Sequence, residues 1–193
     1  MILGSHVIFS AYGFWLPNDP RGSWSDFVGS WELFRYGRAT RIDARHSVAH
    51  VEHDQSLRQA AKRALKYPPV QFSGIQAHAV SHGFAEYARK SKLLIWACAI
   101  MPDHVHIVLG RHRLSVEQLV IQLKGEATDR LNEEGIHPFP VPFGKQPKCL
   151  ARGEWKVYLD CEDDIFHAIC YVEENPTKEG LRRQRWKFVT SYV

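Results

Sequence analysis

The stretch "LLIWACAIMPDHVHIVLG", residues 93–110, decides how this chain folds. Two apolar runs rich in β-branched residues flank Pro102 and Asp103, a pair of residues that is typical of turns. Since a connection this short can join only antiparallel strands, the stretch predicts a β-hairpin. In its second strand His104 and His106 are two residues apart, so both side chains are expected on one face of the sheet.

Further elements are predicted on the N-terminal side of the hairpin. Residues 5–13, "SHVIFSAYG", are rich in β-branched and aromatic residues and predict a first strand. Residues 55–66 predict a short amphipathic helix that stops before a pair of prolines. The capping-box pattern of Ser73 and Gln76 predicts the start of a longer helix, which we expect to end near Lys92.

The C-terminal side of the hairpin repeats the alternation of helix and strand. Ser115 and Gln118 form a second capping-box pattern, and Gly135 is placed to end the helix that follows. A proline-rich loop separates this helix from a strand at residues 154–160, "EWKVYLD". Residues 162–176, "EDDIFHAICYVEENP", predict a last helix with acidic residues in its first turn, where the helix dipole favours them.

The order of these elements indicates the fold class. Short elements in the order strand, helices, hairpin, helix, strand, helix fit an α+β fold, a ferredoxin-like (RRM-like) sandwich with helices on one face of a central antiparallel sheet and a further C-terminal helix. At 193 residues the chain is expected to form a single domain spanning residues 1–193. An irregular insertion is expected at about residues 14–72, where prolines, glycines and tryptophans recur without a sustained period.

The composition limits the cellular environments and the kinds of partner that are expected for this protein. The formal net charge of +4 is compatible with a polyanionic partner. No apolar run is long enough to cross a bilayer and the N-terminus lacks the pattern of a signal peptide, so no membrane association and a cytoplasmic location are expected. The four cysteines form no C-x-x-C pair, and reduced thiols are expected.

The histidine pair admits two interpretations. Two imidazoles on one face can share a metal ion, but histidines of this spacing are more often hydrogen-bonded residues at the edge of a core. In the last helix, Tyr171 lies at the margin of the apolar stripe and can reach a cleft, although it could equally be a packed aromatic with a surface hydroxyl. Asn175 stands one turn further on, where Pro176 is expected to end the helix or to start a new turn with Asn175 as its N-cap.

Three blocks of sequence taken together, "MPDHVHIVLG", "WKVYLD" and "YVEENPTKEGL", resemble the single-tyrosine HUH transposases of the IS200-like superfamily, in particular the REP-associated tyrosine transposases. The family pattern is M-P-[DN]-H-x-H, then an aromatic-rich strand, then Y-[IV]-x-x-N-P-x-[KR]-x-G-L. Residues 12–22, "YGFWLPNDPRG", look like an N-terminal block of one branch, whereas residues 23–72 are assigned to no block of the family pattern. Thr177 and Glu179 depart from the small apolar residues that family members often carry there.

The resemblance implies a role for each matching residue. His104 and His106 would bind a divalent metal, Mg²⁺ or Mn²⁺, with the amide oxygen of Asn175 as third ligand. Tyr171, on the C-terminal helix, would be the catalytic nucleophile. Enzymes of this family cut single-stranded DNA beside a hairpin formed by inverted repeats, leave a 5′-phosphotyrosine and rejoin strands by the reverse attack. They act as monomers or homodimers, and this sequence does not distinguish the two.

Basic residues flank the matching blocks and are predicted to contact DNA phosphates, although for any single cluster a solvated surface is the usual explanation. The predicted contacts are Arg111, Arg113, Lys145, Lys148, Arg152, Lys178, Arg182 and Arg183, with Arg185 and Lys187 beside them. Trp15, Trp24 or Trp186 could stack on unpaired bases.

Two other functions are weighed against a transposase. A histidine-triad nucleotide hydrolase would need a third histidine at position 108, where this chain has Val108. A non-catalytic module that binds single-stranded nucleic acid on the same fold would need neither the tyrosine nor the histidines. The presence of these residues favours the enzyme.

Overall fold

The structure is a computed structural model that describes residues 1–17, 19, 28, 31–37, 52, 54–139 and 146–192. Much of the predicted insertion at residues 14–72 lies outside these residues, as do Lys145 and Trp24. A 3-10 helix, Trp31–Tyr36, lies within the described part of the insertion. No helix among the described residues is both long and apolar enough to span a membrane.

The described elements form a four-stranded sheet and four α-helices. The strands follow the spatial order β2-β3-β1-β4, and each neighbouring pair is antiparallel. This order, with α2 in the crossover from β1 to β2 and α3 in the crossover from β3 to β4, is the ferredoxin-like arrangement, which confirms the predicted fold class. Along the chain the elements are β1 (Gly4–Ser10), α1 (Gln55–Arg63), α2 (Gly74–Ser91), β2 (Ile95–Ile100), β3 (His104–Gly110), α3 (Val116–Glu133), β4 (Trp155–Leu159) and α4 (Glu162–Lys178).

Both predicted capping boxes are present and set the start of the two longest helices. The Ser73 side chain accepts a hydrogen bond from the Gln76 amide, and the Gln76 side chain accepts one from the Ser73 amide. Ser115 and Gln118 make the same reciprocal pair at the start of α3. Each box satisfies backbone donors that a helix leaves unpaired at its N-terminus, so the local sequence alone defines these boundaries.

The first face of the sheet packs against α2 and α3. Alternate residues of β1 and β3, among them Val7, Phe9, Val105 and Ile107, are fully buried in this core. The two helices approach each other closely at Gly83, where a Cβ atom would lie 2.6 Å from the Glu126 carbonyl oxygen.

The second face of the sheet is covered by α4. Ile165, Ala168 and Val172 form the buried side of this helix and pack on the small and apolar side chains of the sheet. Those side chains are Ala97, Ala99, Met101, Val108 and Leu159. Helices therefore lie on both faces, with α2 and α3 on one and the C-terminal helix on the other.

The end of α4 differs from the sequence prediction. The helix continues through Pro176 to Lys178, so the expectation that Pro176 ends it, or begins a new turn capped by Asn175, is wrong. A proline removes one backbone donor, and in the last turn that loss is small because the following amides still find acceptors. The Glu179 amide donates to the Asn175 carbonyl at 3.2 Å and the Leu181 amide to the Pro176 carbonyl at 2.7 Å.

The C-terminal segment, residues 181–192, runs along the edge strand β2. The side-chain amide of Gln184 donates to the Ile100 carbonyl and accepts from the Ile100 amide, both at 2.8 Å. Further along, the Thr190 amide donates to the Ile95 carbonyl at 2.9 Å. Since an open edge strand invites pairing with another chain, this segment protects the sheet.

We predict that Gly83→Ala destabilises the protein, because the new methyl group meets backbone atoms of α3 that cannot move aside. The expected loss is about 1–3 kcal/mol in the free energy of unfolding measured by urea denaturation. Gly125→Ala is the matched control: a Cβ atom added to this exposed helical glycine would meet no atom within 4 Å, and alanine there should stabilise by up to about 1 kcal/mol. Equal effects of the two substitutions would contradict the close helix contact.

Candidate active site

Polar side chains gather on the sheet face that α4 covers. In the register of the sheet Ser10 lies opposite His104 and Ile8 opposite His106, while His6 lies one pair further along. His6, Ser10, His104 and His106 are all buried. Because neighbouring residues such as Val105 and Ile107 point into the core on the other face, the predicted shared face of the two histidines is confirmed.

His104 is held at the start of β3 by two neighbours. Its Nδ1 lies 2.7 Å from a carboxylate oxygen of Asp103, and the ring of Phe14 stacks on it with centroids 4.9 Å apart. The His104 and His106 rings are adjacent, with centroids 4.8 Å apart. A carboxylate on Nδ1 leaves Nε2 with a free lone pair, which is the usual arrangement of a metal-binding histidine.

His106 is the more deeply buried of the pair, with 3% of its surface exposed. Burial lowers its pKa well below the usual value, and repulsion from His104 and His6 adds to this effect. Burial also lowers the pKa of His6 to about 4. Both imidazoles are therefore neutral near pH 7, the form in which a histidine can bind a metal.

Tyr171 lies over this histidine cluster. Its ring centroid is 5.6 Å from that of His106 and 5.7 Å from that of His6, in edge-on contacts. The residue is nevertheless 42% exposed, and the Nζ atom of Lys178 lies 5.3 Å from its ring centroid. A tyrosine that touches the buried histidines and also faces solvent can reach a bound polymer.

Asn175 lies one turn after Tyr171 and is 7% exposed. Its Nδ2 atom finds no hydrogen-bond partner among the described residues, and neither does the Oγ atom of Ser10 on the same sheet face as the histidines. Buried polar atoms without partners are costly, by about 1–3 kcal/mol each, and are typical of sites that hold a ligand. A rotation of the amide group would present its oxygen instead.

This donor set fits a divalent metal. Two imidazoles, together with the amide of Asn175, would offer nitrogen and oxygen ligands without a thiolate, a set that suits Mn²⁺ or Mg²⁺ and also Zn²⁺. Within the described ranges, three candidate ligand atoms from His, Cys, Asp or Glu lie within 4.8 Å of one another only at Asp160, Cys161 and Asp164. Those residues are exposed acids and a thiol at the start of α4, and they do not touch the histidines. The histidine pair therefore needs a third ligand of another type, as the prediction for Asn175 supposes.

The predicted DNA-contacting residues do not form one patch. Lys178 contacts the Tyr171 ring, whereas Arg111 and Arg113 follow the far end of β3, roughly 23 Å from His104 at about 3.3 Å per strand residue. Arg183 is paired with Glu173. The other described members, Lys148, Arg152 and Arg182, are exposed, and Lys145 lies outside the described residues.

The tryptophans predicted to stack on bases are also dispersed. Trp186 packs against the first core beside Phe188, which makes it a structural residue. Trp15 contacts the neighbouring Phe14, and Trp24 falls outside the part of the chain that is described.

Sequence reasoning missed two members of the cluster, His6 and Trp155. The His6 ring lies 5.4 Å from the Trp155 ring and its Nε2 atom lies 3.3 Å from Nδ1 of His106. The alternation of β1 carried a signal for His6, since a histidine stands in phase with Ile8 and Ser10, opposite to the apolar positions 7, 9 and 11. Trp155 stands on β4, and its contact with His6 could be predicted only from the order of the strands in the sheet.

Comparisons with known proteins found two similarities to transposases. Residues 63–138 match the family model described as "Transposase IS200 like"; the match includes both histidines and ends before Tyr171. A solved structure described as "Structure of the REP associates tyrosine transposase bound to a REP hairpin" is 12% identical, with 97% of this chain and 76% of that chain covered and a TM-score of 0.49. A similarity of this size does not indicate a shared function. No curated protein matches the chain.

We predict that His106→Ala lowers the affinity of the DNA-free protein for Mn²⁺ by at least about 100-fold, because one of the two candidate imidazole ligands is removed. Isothermal titration calorimetry measures the change. His112→Ala is the control, since His112 lies beyond the far end of β3 and bonds to the Ser91 carbonyl. If the two variants lose equal affinity, the ion binds elsewhere.

Proposed function

We propose that this chain, whose residues 63–138 match the IS200-like transposase family, cleaves and rejoins single-stranded DNA beside hairpins through a covalent bond between Tyr171 and a 5′-phosphate. One observation carries the proposal. The exposed ring of Tyr171 lies directly against the buried His106, so a nucleophile of the right kind stands beside a candidate metal site. The hairpin preference is proposed from the resemblance of the sequence blocks to the family.

The residues divide the work between binding and attack. His104 and His106, with Asn175, would hold Mg²⁺ or Mn²⁺; the bound ion would supply positive charge to a non-bridging phosphate oxygen, which an anionic diester needs before it accepts a nucleophile. Asp103 and His6 hold the Nδ1 side of the two histidines. Lys178, which lies beside the tyrosine ring and is paired with Glu174, is proposed as a phosphate contact.

Tyr171 performs the substitution at phosphorus. A phenol is mostly protonated at neutral pH, so its proton must pass to a base or to water as Oη attacks. The bond from phosphorus to Oη forms while the bond from phosphorus to the 3′-oxygen breaks, and that oxygen leaves with the electron pair and takes up a proton. Attack by a free 3′-hydroxyl on the phosphotyrosine reverses the step, so strands are rejoined without a nucleotide cofactor.

The exposed position of Tyr171 suits a single-stranded substrate. Tyr171 is 42% exposed, so a flexible unpaired strand can bring a phosphate to it without a groove shaped for a duplex. Exposed basic residues before β4 and after α4, Lys148, Arg152 and Arg182, are proposed as further phosphate contacts.

We predict that Tyr171→Phe eliminates a covalent protein–DNA adduct, with a loss of more than about 1,000-fold in yield, because the attacking oxygen is removed. The substrate is a set of labelled single-stranded oligonucleotides, each with a hairpin and single-stranded flanks, incubated with Mn²⁺ and separated on a denaturing gel. Tyr158→Phe is the matched control, because Tyr158 is an exposed tyrosine on β4 outside the cluster.

Two results would contradict the proposal. An adduct that persists in Tyr171→Phe would assign the nucleophile to another residue. Hairpin binding by the wild-type protein without any adduct, across hairpins of varied stem and flank, would indicate a non-catalytic nucleic-acid-binding module.

A further inference from the structure

His6 occupies the centre of the cluster although it belongs to a strand remote in sequence from the other members. It is 8% exposed, and its ring contacts His106, Tyr171 and Trp155 with centroids 5.4–5.7 Å apart. Its Nε2 atom lies 3.3 Å from Nδ1 of His106. One side chain of β1 therefore touches the candidate nucleophile and a candidate metal ligand at the same time.

The contact between the two imidazoles determines which nitrogen of His106 is free. A neutral imidazole carries one proton, and the other nitrogen has a lone pair. If His6 donated to Nδ1 of His106, the His106 proton would lie on Nε2 and that atom could not bind a metal. If Nδ1–H of His106 donates to His6, Nε2 of His106 keeps its lone pair.

We infer that His6 is a positioning residue that accepts the Nδ1 proton of His106 and so keeps Nε2 of His106 free to bind a divalent ion. The inference rests on the proposed function, since it assigns a role toward the metal that this function requires. His104, the other candidate ligand, has an equivalent hydrogen-bond acceptor, because its Nδ1 atom lies against the carboxylate of Asp103. Both candidate ligands are thus held from behind by a hydrogen-bond acceptor, the arrangement that fixes ring orientation in metal sites.

Trp155 restricts the orientation of His6. The two rings meet edge to face at an interplanar angle of 82°, and Trp155 stands on β4, the strand that pairs with β1. The His6 ring therefore lies between Trp155 of the sheet and Tyr171 of α4, which together restrict its orientation. Rotation of the His6 ring would break its contact with His106.

The test compares two substitutions of His6 by the affinity for Mn²⁺ without DNA. His6→Phe keeps a ring of similar size and removes the acceptor, so a 10- to 100-fold loss of affinity is expected. His6→Gln restores an acceptor at similar reach and should bind Mn²⁺ within about threefold of the wild-type protein. His137→Phe is the control for removing a buried histidine, because His137 is 9% exposed and contacts Phe139 outside the cluster.

A second measurement decides the inference without relying on metal binding or on the folding of a variant. Long-range ¹H–¹⁵N correlation spectra of the metal-free wild-type protein at pH 7.5 report the tautomer of each histidine. The inference requires His106 protonated on Nδ1 and His6 unprotonated on Nε2. His106 protonated on Nε2, or unchanged Mn²⁺ affinity in folded His6→Phe, would overturn it.

These readouts separate the inference from the proposed function. If the wild-type protein shows the required tautomers but forms no DNA adduct, the proposed function fails while the contact between His6 and His106 stands. If an adduct forms but the tautomers are reversed, the function stands and the role of His6 is wrong.

Discussion

The packing of α4 on the sheet is the contact on which the site depends. Ile165, Ala168 and Val172 lie on a sheet surface that includes two alanines of β2, and these small side chains let the helix approach closely. This apolar contact fixes the rotation of the helix and hence the direction of Tyr171, one residue before Val172. Replacing one of the alanines with a larger side chain would move the tyrosine without touching any polar residue.

The same sheet face changes character from strand to strand. On β2 it is apolar, with Ala97 and Ala99 under the helix, whereas on β1 and the first half of β3 it carries buried imidazoles and a serine. Burying these polar groups costs stability, most of all at Ser10 and Asn175, whose Oγ and Nδ2 atoms find no partner in the described part of the chain. A fold selected for stability alone would place apolar residues there, so the polar part of the face is typical of a ligand site.

Local sequence was sufficient to predict the elements. Ser73 and Ser115 marked the helix starts because a capping box is closed within four residues, and the shared face of His104 and His106 follows from strand geometry. The partnership of His6 with His106 spans 100 residues and depends on β1 lying beside β3, which no local pattern encodes. Arg111 and Arg113 are close to His106 in sequence but lie beyond the far end of an extended strand, and their contact with DNA stays a prediction. Pro176 was misjudged because a proline in the last turn removes a single donor, the one that would face the Val172 carbonyl, and the helix ends two residues later at Lys178.

The proposed metal, held by His104 and His106, would lie beside Tyr171. This position is tested by the ¹⁹F spectrum of protein carrying 3-fluorotyrosine at position 171, recorded during titration with Mn²⁺, whose unpaired electrons broaden nearby resonances. We expect the signal from position 171 to disappear at one equivalent of Mn²⁺ and to return on chelation, whereas the same label at position 158 is broadened far less. A sharp signal from position 171 in the Mn²⁺-saturated protein would contradict it.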